Sequence, residues 1–215
     1  MSVILDFTES EMNQLKDSWK QHKKIGSGND GDCFLVGNEV YKVLNTEYKK
    51  DDNIFICKND LELDSFLFPT EIYTCNNYIF AYKTPYIPIN QLRLKEIRSG
   101  NIPDINKFKK AIDSLMRDIS VLSKNNIAAI DLSWRNALFD GEKFQIIDTL
   151  DYEIVEEDPY EDNIESLKDI ITCFILDCEL ANQMYHISKE DLSLDECKKL
   201  IKYIDDTSSK EIKRP

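Results

Sequence analysis

Three groups of residues in this 215-residue chain carry functional groups at spacings that suit joint chemistry. The first is Gly26-Ser27-Gly28-Asn29-Asp30-Gly31, a G-x-G-x-x-G run whose backbone amides can approach phosphate oxygens because no Cβ intervenes. Alone it is a weak signal, since glycine turns recur between strands. Its context strengthens it: strand-like residues follow and end in Val40-Tyr41-Lys42-Val43. A strand, glycine turn, strand arrangement makes a phosphate lid, and a lysine on the next strand supplies positive charge to the same phosphates. The plain alternative for Lys42 is a solvated strand lysine, which the apolar neighbours Val40, Val43 and Leu44 weaken.

The second and third groups are Asp131-Leu132-Ser133-Trp134-Arg135-Asn136 and Asp148-Thr149-Leu150-Asp151, with Asp148 twelve residues after Asn136. Between them, Ala137-Leu138-Phe139, the turn Asp140-Gly141 and Phe144-Gln145-Ile146-Ile147 predict a short hairpin. Such a hairpin returns Asp148 to the neighbourhood of Asn136, where a carboxylate and an amide carbonyl suit Mg²⁺, a hard ion shared with substrate phosphates. Asp131, expected straight after a helix, is placed to accept a proton from an attacking hydroxyl.

The flanking segments carry helix and strand signals of their own. Thr8-Glu9-Ser10-Glu11 has capping-box spacing, and Met12, Leu15 and Trp19 follow at helical intervals, predicting a packing helix over 9–22. Residues 24–44 read as a hairpin, 46–62 as polar chain with a short helix, and 66–68 and 78–82 as strands. Beyond Pro85 and Pro88 the chain turns helical. Phe108, Ala111, Ile112, Leu115, Ile119 and Leu122 form a buried stripe on a helix that Asp104 can cap. Ile164 to Cys178 and Leu194 to Ile204 give two more helices, with 208–215 frayed.

In order and approximate spacing, the residues of 24–152 resemble the protein-kinase-like superfamily. Gly26-x-Gly28-x-x-Gly31 matches its glycine-rich loop, Val40-Tyr41-Lys42 its nucleotide lysine strand, Asp131-x-x-x-x-Asn136 its catalytic loop and Asp148-Thr149-Leu150 its metal-binding Asp-Phe-Gly motif. The resemblance implies an α+β bilobal fold with ATP in the cleft. One domain would span 1–215, with a small antiparallel β-rich lobe over 1–84 and a compact, mainly helical lobe over 85–215, hinged near Thr84 to Asn90. It implies ATP and Mg²⁺ as cofactors. Gly26, Ser27, Gly28, Gly31 and Lys42 would hold the phosphates, Pro85 and Tyr86 the adenine, and Asn136 and Asp148 the metal. Asp131 would act as base and Arg135 would assist the γ-phosphate.

The departures narrow the reading. Ala129 and Ile130 replace the histidine and arginine that usually precede the catalytic aspartate, and Ser133 replaces a lysine. The Phe-Gly of the metal motif is Thr149-Leu150, a change common in small-molecule kinases of this fold. Asp52 and Glu62 are the candidates for the Lys42 ion pair. No Ala-Pro-Glu follows, and the segment from Asp148 to Ile164 is short, as if the peptide-docking platform were truncated.

Charge decides what else is excluded. Lys and Arg number 27 against 40 Asp and Glu, a formal net charge of −13, so neither a nucleic-acid phosphate backbone nor an anionic membrane is an expected partner. Nine of the acidic residues fall within 148–165, with no Lys or Arg among them. Such a segment is either a solvated loop or a field that attracts a cationic acceptor. No signal-like start and no long apolar run is present, so a cytoplasmic protein is expected. Six cysteines without metal spacing read as reduced, mostly buried thiols; His22 and His186 read as surface or capping residues, Trp134 as a core anchor or a substrate platform, and Tyr78 and Tyr82 as strand packing. The expected function is phosphoryl transfer from ATP to a hydroxyl, of a protein rather than of a cationic small molecule. The alternatives are a pseudokinase-like nucleotide-binding module and nucleotidyl transfer.

Overall fold

A computed structural model describes residues 2–49, 61, 63–88, 105–185 and 194–211. It is α+β: an antiparallel-rich sheet comes first in the chain and helices follow. Two compact units divide it. Residues 67–88 and 148–153 join the amino-terminal region in the first, and 63–66 join the helices in the second.

In the first unit, β1 (Val3–Asp6), α1 (Glu9–Lys20), β2 (Lys23–Ser27), β3 (Gly31–Val36), β4 (Glu39–Lys49), β5 (Glu71–Cys75) and β6 (Tyr78–Pro85) succeed one another. Thr8 starts α1 as read from sequence: its hydroxyl accepts from Glu11 N, and Glu11 returns a carboxylate to Thr8 N at 2.9 Å. The strands order as β1-β5-β6-β4-β3-β2, with β1 parallel to β5 and the other neighbours antiparallel. Because successive side chains alternate faces, β4 sends Tyr41 one way, to stack on Trp19 of α1 at 4.9 Å, and Lys42 the other. Trp19, Phe34, Val43, Tyr73 and Phe80 close the core under α1. Leu44, Ile72, Ile79, Tyr82 and Leu150 form a second one. Each such large apolar group contributes roughly 1.5–3 kcal/mol on burial.

Several expectations need correction here. The hairpin of 24–44 is a three-strand meander whose β4 runs on through Lys49; residues 50–60 and 62 of the segment expected to hold a short helix, with the Lys42 ion-pair candidates Asp52 and Glu62, lie outside the described residues. At 66–68 only Phe66 bridges, to Ile146, because Pro69 lacks the amide a ladder requires. The strand is instead β5, whose Asn76-Asn77 turn takes positive φ at both residues (50° and 67°), the form a two-residue hairpin favours. The amino-terminal β1 carries no alternation long enough to be read.

The second unit packs α2 (Ile105–Lys124), β7 (Ile127–Ala128), β8 (Ala137–Phe139), β9 (Phe144–Ile146), α3 (Tyr160–Tyr185) and α4 (Leu194–Glu211). The α2 stripe is buried as its spacing predicts, and Phe108 meets the rings of Phe139, Phe144 and Phe174 at 5.4, 5.4 and 4.7 Å. The last helix does not end near Ile204. It continues through buried Ser208 to Glu211, because Leu200, Ile204 and Ser208 extend one apolar face. Asp104 and His186 lie outside the described residues. Among the cysteines whose side chains are described, Cys75 is buried while Cys33 and Cys173 are half-buried, and none of the three is in a disulfide. No helix among the described residues is long and apolar enough to cross a membrane.

Candidate functional site

In the first unit the strand register gathers the site around Lys42. Cys33 of β3 pairs with it on one side and Tyr82 of β6 on the other. At 8% exposure Lys42 is not a solvated strand lysine. Its ammonium donates to both carboxylate oxygens of Asp148, 106 residues away in sequence, and lies 5.8 Å from the centre of the Tyr82 ring. Tyr82 donates its phenol hydrogen to Asp148 Oδ1 at 2.7 Å. Burial, then the neighbouring Asp148 charge, hold that phenol well above its ordinary range, so it stays a donor.

Asp148 has φ +63°, a left-handed conformation that costs a non-glycine residue roughly 1 kcal/mol and persists where neighbours hold it. Thr149 and Leu150 supply that hold. Thr149 is 2% exposed and donates its hydroxyl to Leu67 O at 3.1 Å, and Leu150 enters the core beside Tyr82. Asp151 follows, its carboxyl raised chiefly by burial, and accepts from Tyr48 at 3.5 Å.

The glycine run joins β2 to β3. Gly31 is fixed by packing: a Cβ there would lie 2.2 Å from Val43 O of the paired strand. Gly28 faces open space and closes the turn through its amide to Gly31 O at 2.9 Å. Gly26 pairs with Cys33 just after the register of β2 and β3 shifts past Ile25, and the Ser27 hydroxyl donates to Asp32 at 2.7 Å. Pro85 ends β6, and the Tyr86 amide is spent on Asn38 O at 2.9 Å.

The second unit carries the other group. A short strand, β7, intervenes between α2 and Asp131, so the aspartate does not follow the helix directly as expected. The chain then turns through Ala129 O accepting from Leu132 N, with Leu132 buried and Asp131 at φ +56° and exposed. The Asn136 amide nitrogen donates to Asp131 Oδ2 at 2.9 Å and to its carbonyl at 3.1 Å. That fixes the rotamer and leaves the Asn136 side-chain carbonyl as the oxygen on offer. The Asn136 backbone oxygen accepts from Ile147 N across the β8–β9 hairpin, immediately before Asp148 in the chain. Trp134 is 41% exposed with the Arg135 guanidinium 5.7 Å from its ring, so it is no core anchor.

Lys42 thus meets Asp148, and Asp131 meets Asn136, while Asn136 and Asp148 belong to different units. Taken one by one, Asp148 offers a carboxylate and Asn136 an amide oxygen, both ligand types that suit a hard divalent ion. Among the described residues, no group of three or more His, Cys, Asp or Glu is placed to hold a metal. Three contributors escape the sequence reading. Tyr82 looked like strand packing; Tyr48 lies beyond the expected strand; Asn163 sits unremarked in the acidic segment. Asn163, 2% exposed, accepts from Ala129 N at 2.8 Å and donates to Ile127 O and Ser123 Oγ, each at 3.1 Å, which anchors the stem of the Asp131 turn to α3. Its only signal is an asparagine at helical spacing from the apolar stripe Ile164, Leu167 and Ile171. No family model matches the chain, and no curated protein matches it.

Proposed function

We propose that the protein is a kinase of the protein-kinase-like fold, bilobal, transferring the γ-phosphoryl group of Mg-ATP to a hydroxyl of a protein. The observation that carries this is the Lys42–Asp148 pair: a lysine on the strand after a glycine turn meets the aspartate that follows the β8–β9 hairpin, both largely withdrawn from water. A structural ion pair alone gives no reason for Asp148 to be held at positive φ or for a second pair, Asp131–Asn136, at kinase spacing. The reading rests on these residues and not on overall similarity.

Its roles follow from chemistry. Lys42 and the amides of the Gly26–Gly31 turn bind phosphate oxygens, and Pro85 and Tyr86 take the adenine. Asn136, through its carbonyl, and Asp148 would hold Mg²⁺, which would neutralise charge on the phosphates. Asp131 accepts the proton as the acceptor oxygen bonds to the γ-phosphorus and the bond from that phosphorus to the β–γ bridging oxygen breaks, releasing ADP. Arg135, on the same turn, balances charge on the transferred group. A cationic small molecule is the second acceptor class, favoured by the acidic run of 148–165.

The test is incubation with Mg-ATP and candidate acceptors, with products read by mass spectrometry and Asp148→Asn as the control. Phosphoryl adducts that vanish in the variant support the reading. Adenylyl adducts redirect it to nucleotidyl transfer, and absence of ATP turnover in the wild type sinks it.

A further inference from the structure

Nothing in the kinase-like motifs calls for a hydroxyl at position 82, and a buried hydroxyl costs free energy unless it is bonded. A phenylalanine would fill the core among Leu44, Ile72, Ile79 and Leu150 without that cost. The hydroxyl of Tyr82 has one described acceptor, Asp148 Oδ1. We propose that Tyr82 is a positioning residue for Asp148: its phenol holds one carboxylate oxygen so that the other is left to a divalent cation once Lys42 moves to phosphate. The proposal rests on the kinase reading for its metal and phosphate, and on the geometry alone for the Tyr82–Asp148 link.

The arrangement makes Tyr82 the fixed member and Lys42 the movable one. Tyr82 is 4% exposed and is paired on both sides, to Lys42 of β4 and to Ile72 of β5, so its ring has no room to follow the carboxylate. Lys42 reaches Asp148 through a long, flexible stem and donates to both oxygens. When a more strongly charged acceptor draws the ammonium away, Oδ1 keeps the phenol and Oδ2 is released. A carboxylate at positive φ, without that second donor, would be free to rotate. Hydrogen-bonded partners of metal-ligating carboxylates typically matter by about 10–100-fold in metal affinity.

Tyr82→Phe tests this against Ile79→Val, which thins the same core without removing a donor. ADP affinity is measured by calorimetry with and without Mg²⁺, and the ratio of the two reads the metal's contribution apart from turnover. In Tyr82→Phe the ratio falls about 10-fold or more while metal-free ADP affinity holds, and in Ile79→Val the ratio is that of the wild type. An unchanged ratio in Tyr82→Phe, or an equal fall in Ile79→Val, overturns the proposal. Wild-type protein that binds no ADP overturns the kinase reading and with it the metal half. The link itself is read without ligand, by a double-mutant cycle of Tyr82→Phe and Asp148→Ala in urea. Coupled losses support the link, and additive losses overturn it.

Discussion

Asp131 and Lys42 separate the two things the site residues are asked to do. Asp131 is exposed, touches Asn136 and supports no core, so its loss should affect chemistry and spare the fold. On the proposed kinase reading, Asp131→Asn lowers kcat by about 10²–10⁴-fold with ADP affinity unchanged, which steady-state kinetics and calorimetry together check. Lys42 is different. Lys42→Met leaves a part-buried carboxylate with Tyr82 alone, so a loss of stability of about 2 kcal/mol is expected, read as a lower urea midpoint. A variant that loses nucleotide binding but keeps full stability would show that the ion pair contributes nothing to the fold.

The elements that hold these residues have their own weak points. Asn163 satisfies the buried amide of Ala129 from across the unit, and Asn163→Ala strands that amide and two further partners. A loss of about 1–3 kcal/mol is expected, together with a fall in kcat, since the Asp131 turn loses its tether to α3. Thr8→Ala removes only the α1 cap and should cost about 1 kcal/mol with kcat unchanged. Asp118 of α2 gives a pH test. Burial is the main cause raising its carboxyl, against the pull of the Ser65 amide at 2.6 Å. A raised folded value means that its contribution is whole below the ordinary carboxylate range and is lost as pH rises through the folded value. The stability of Asp118→Asn relative to wild type should therefore climb as pH rises above the ordinary carboxylate range, measured by urea midpoints. A difference that is flat or falls with pH would contradict the burial argument.

At the scale of the molecule, the net charge of −13 is unevenly placed: nine of 40 acidic residues occupy the eighteen positions 148–165. Exposed charges act over a screening length of about 8 Å at physiological salt. If this field recruits the acceptor, kcat/KM for a basic peptide should fall as salt is raised while that for a neutral peptide holds steady. Equal sensitivity of the two peptides would assign the acidic run to solvation alone.

The amino-acid sequence by itself determined the α+β order, α1 with its capping box, the buried stripe of α2 and the β8–β9 hairpin, because each is written in local periodicity or turn chemistry. It also marked Lys42, Asp131, Asn136 and Asp148 as residues worth placing. It did not determine what they meet. The Lys42–Asp148 contact joins residues 106 positions apart, and the roles of Tyr82 and Asn163 depend on which strand lies beside β4 and where α3 passes β7. Strand β5 was hidden for a related reason: its burial comes from neighbours on both sides, and the louder apolar run at 66–68 ends in a proline. Local patterns state which face of an element avoids water, but only the tertiary structure decides which polar group waits on that face.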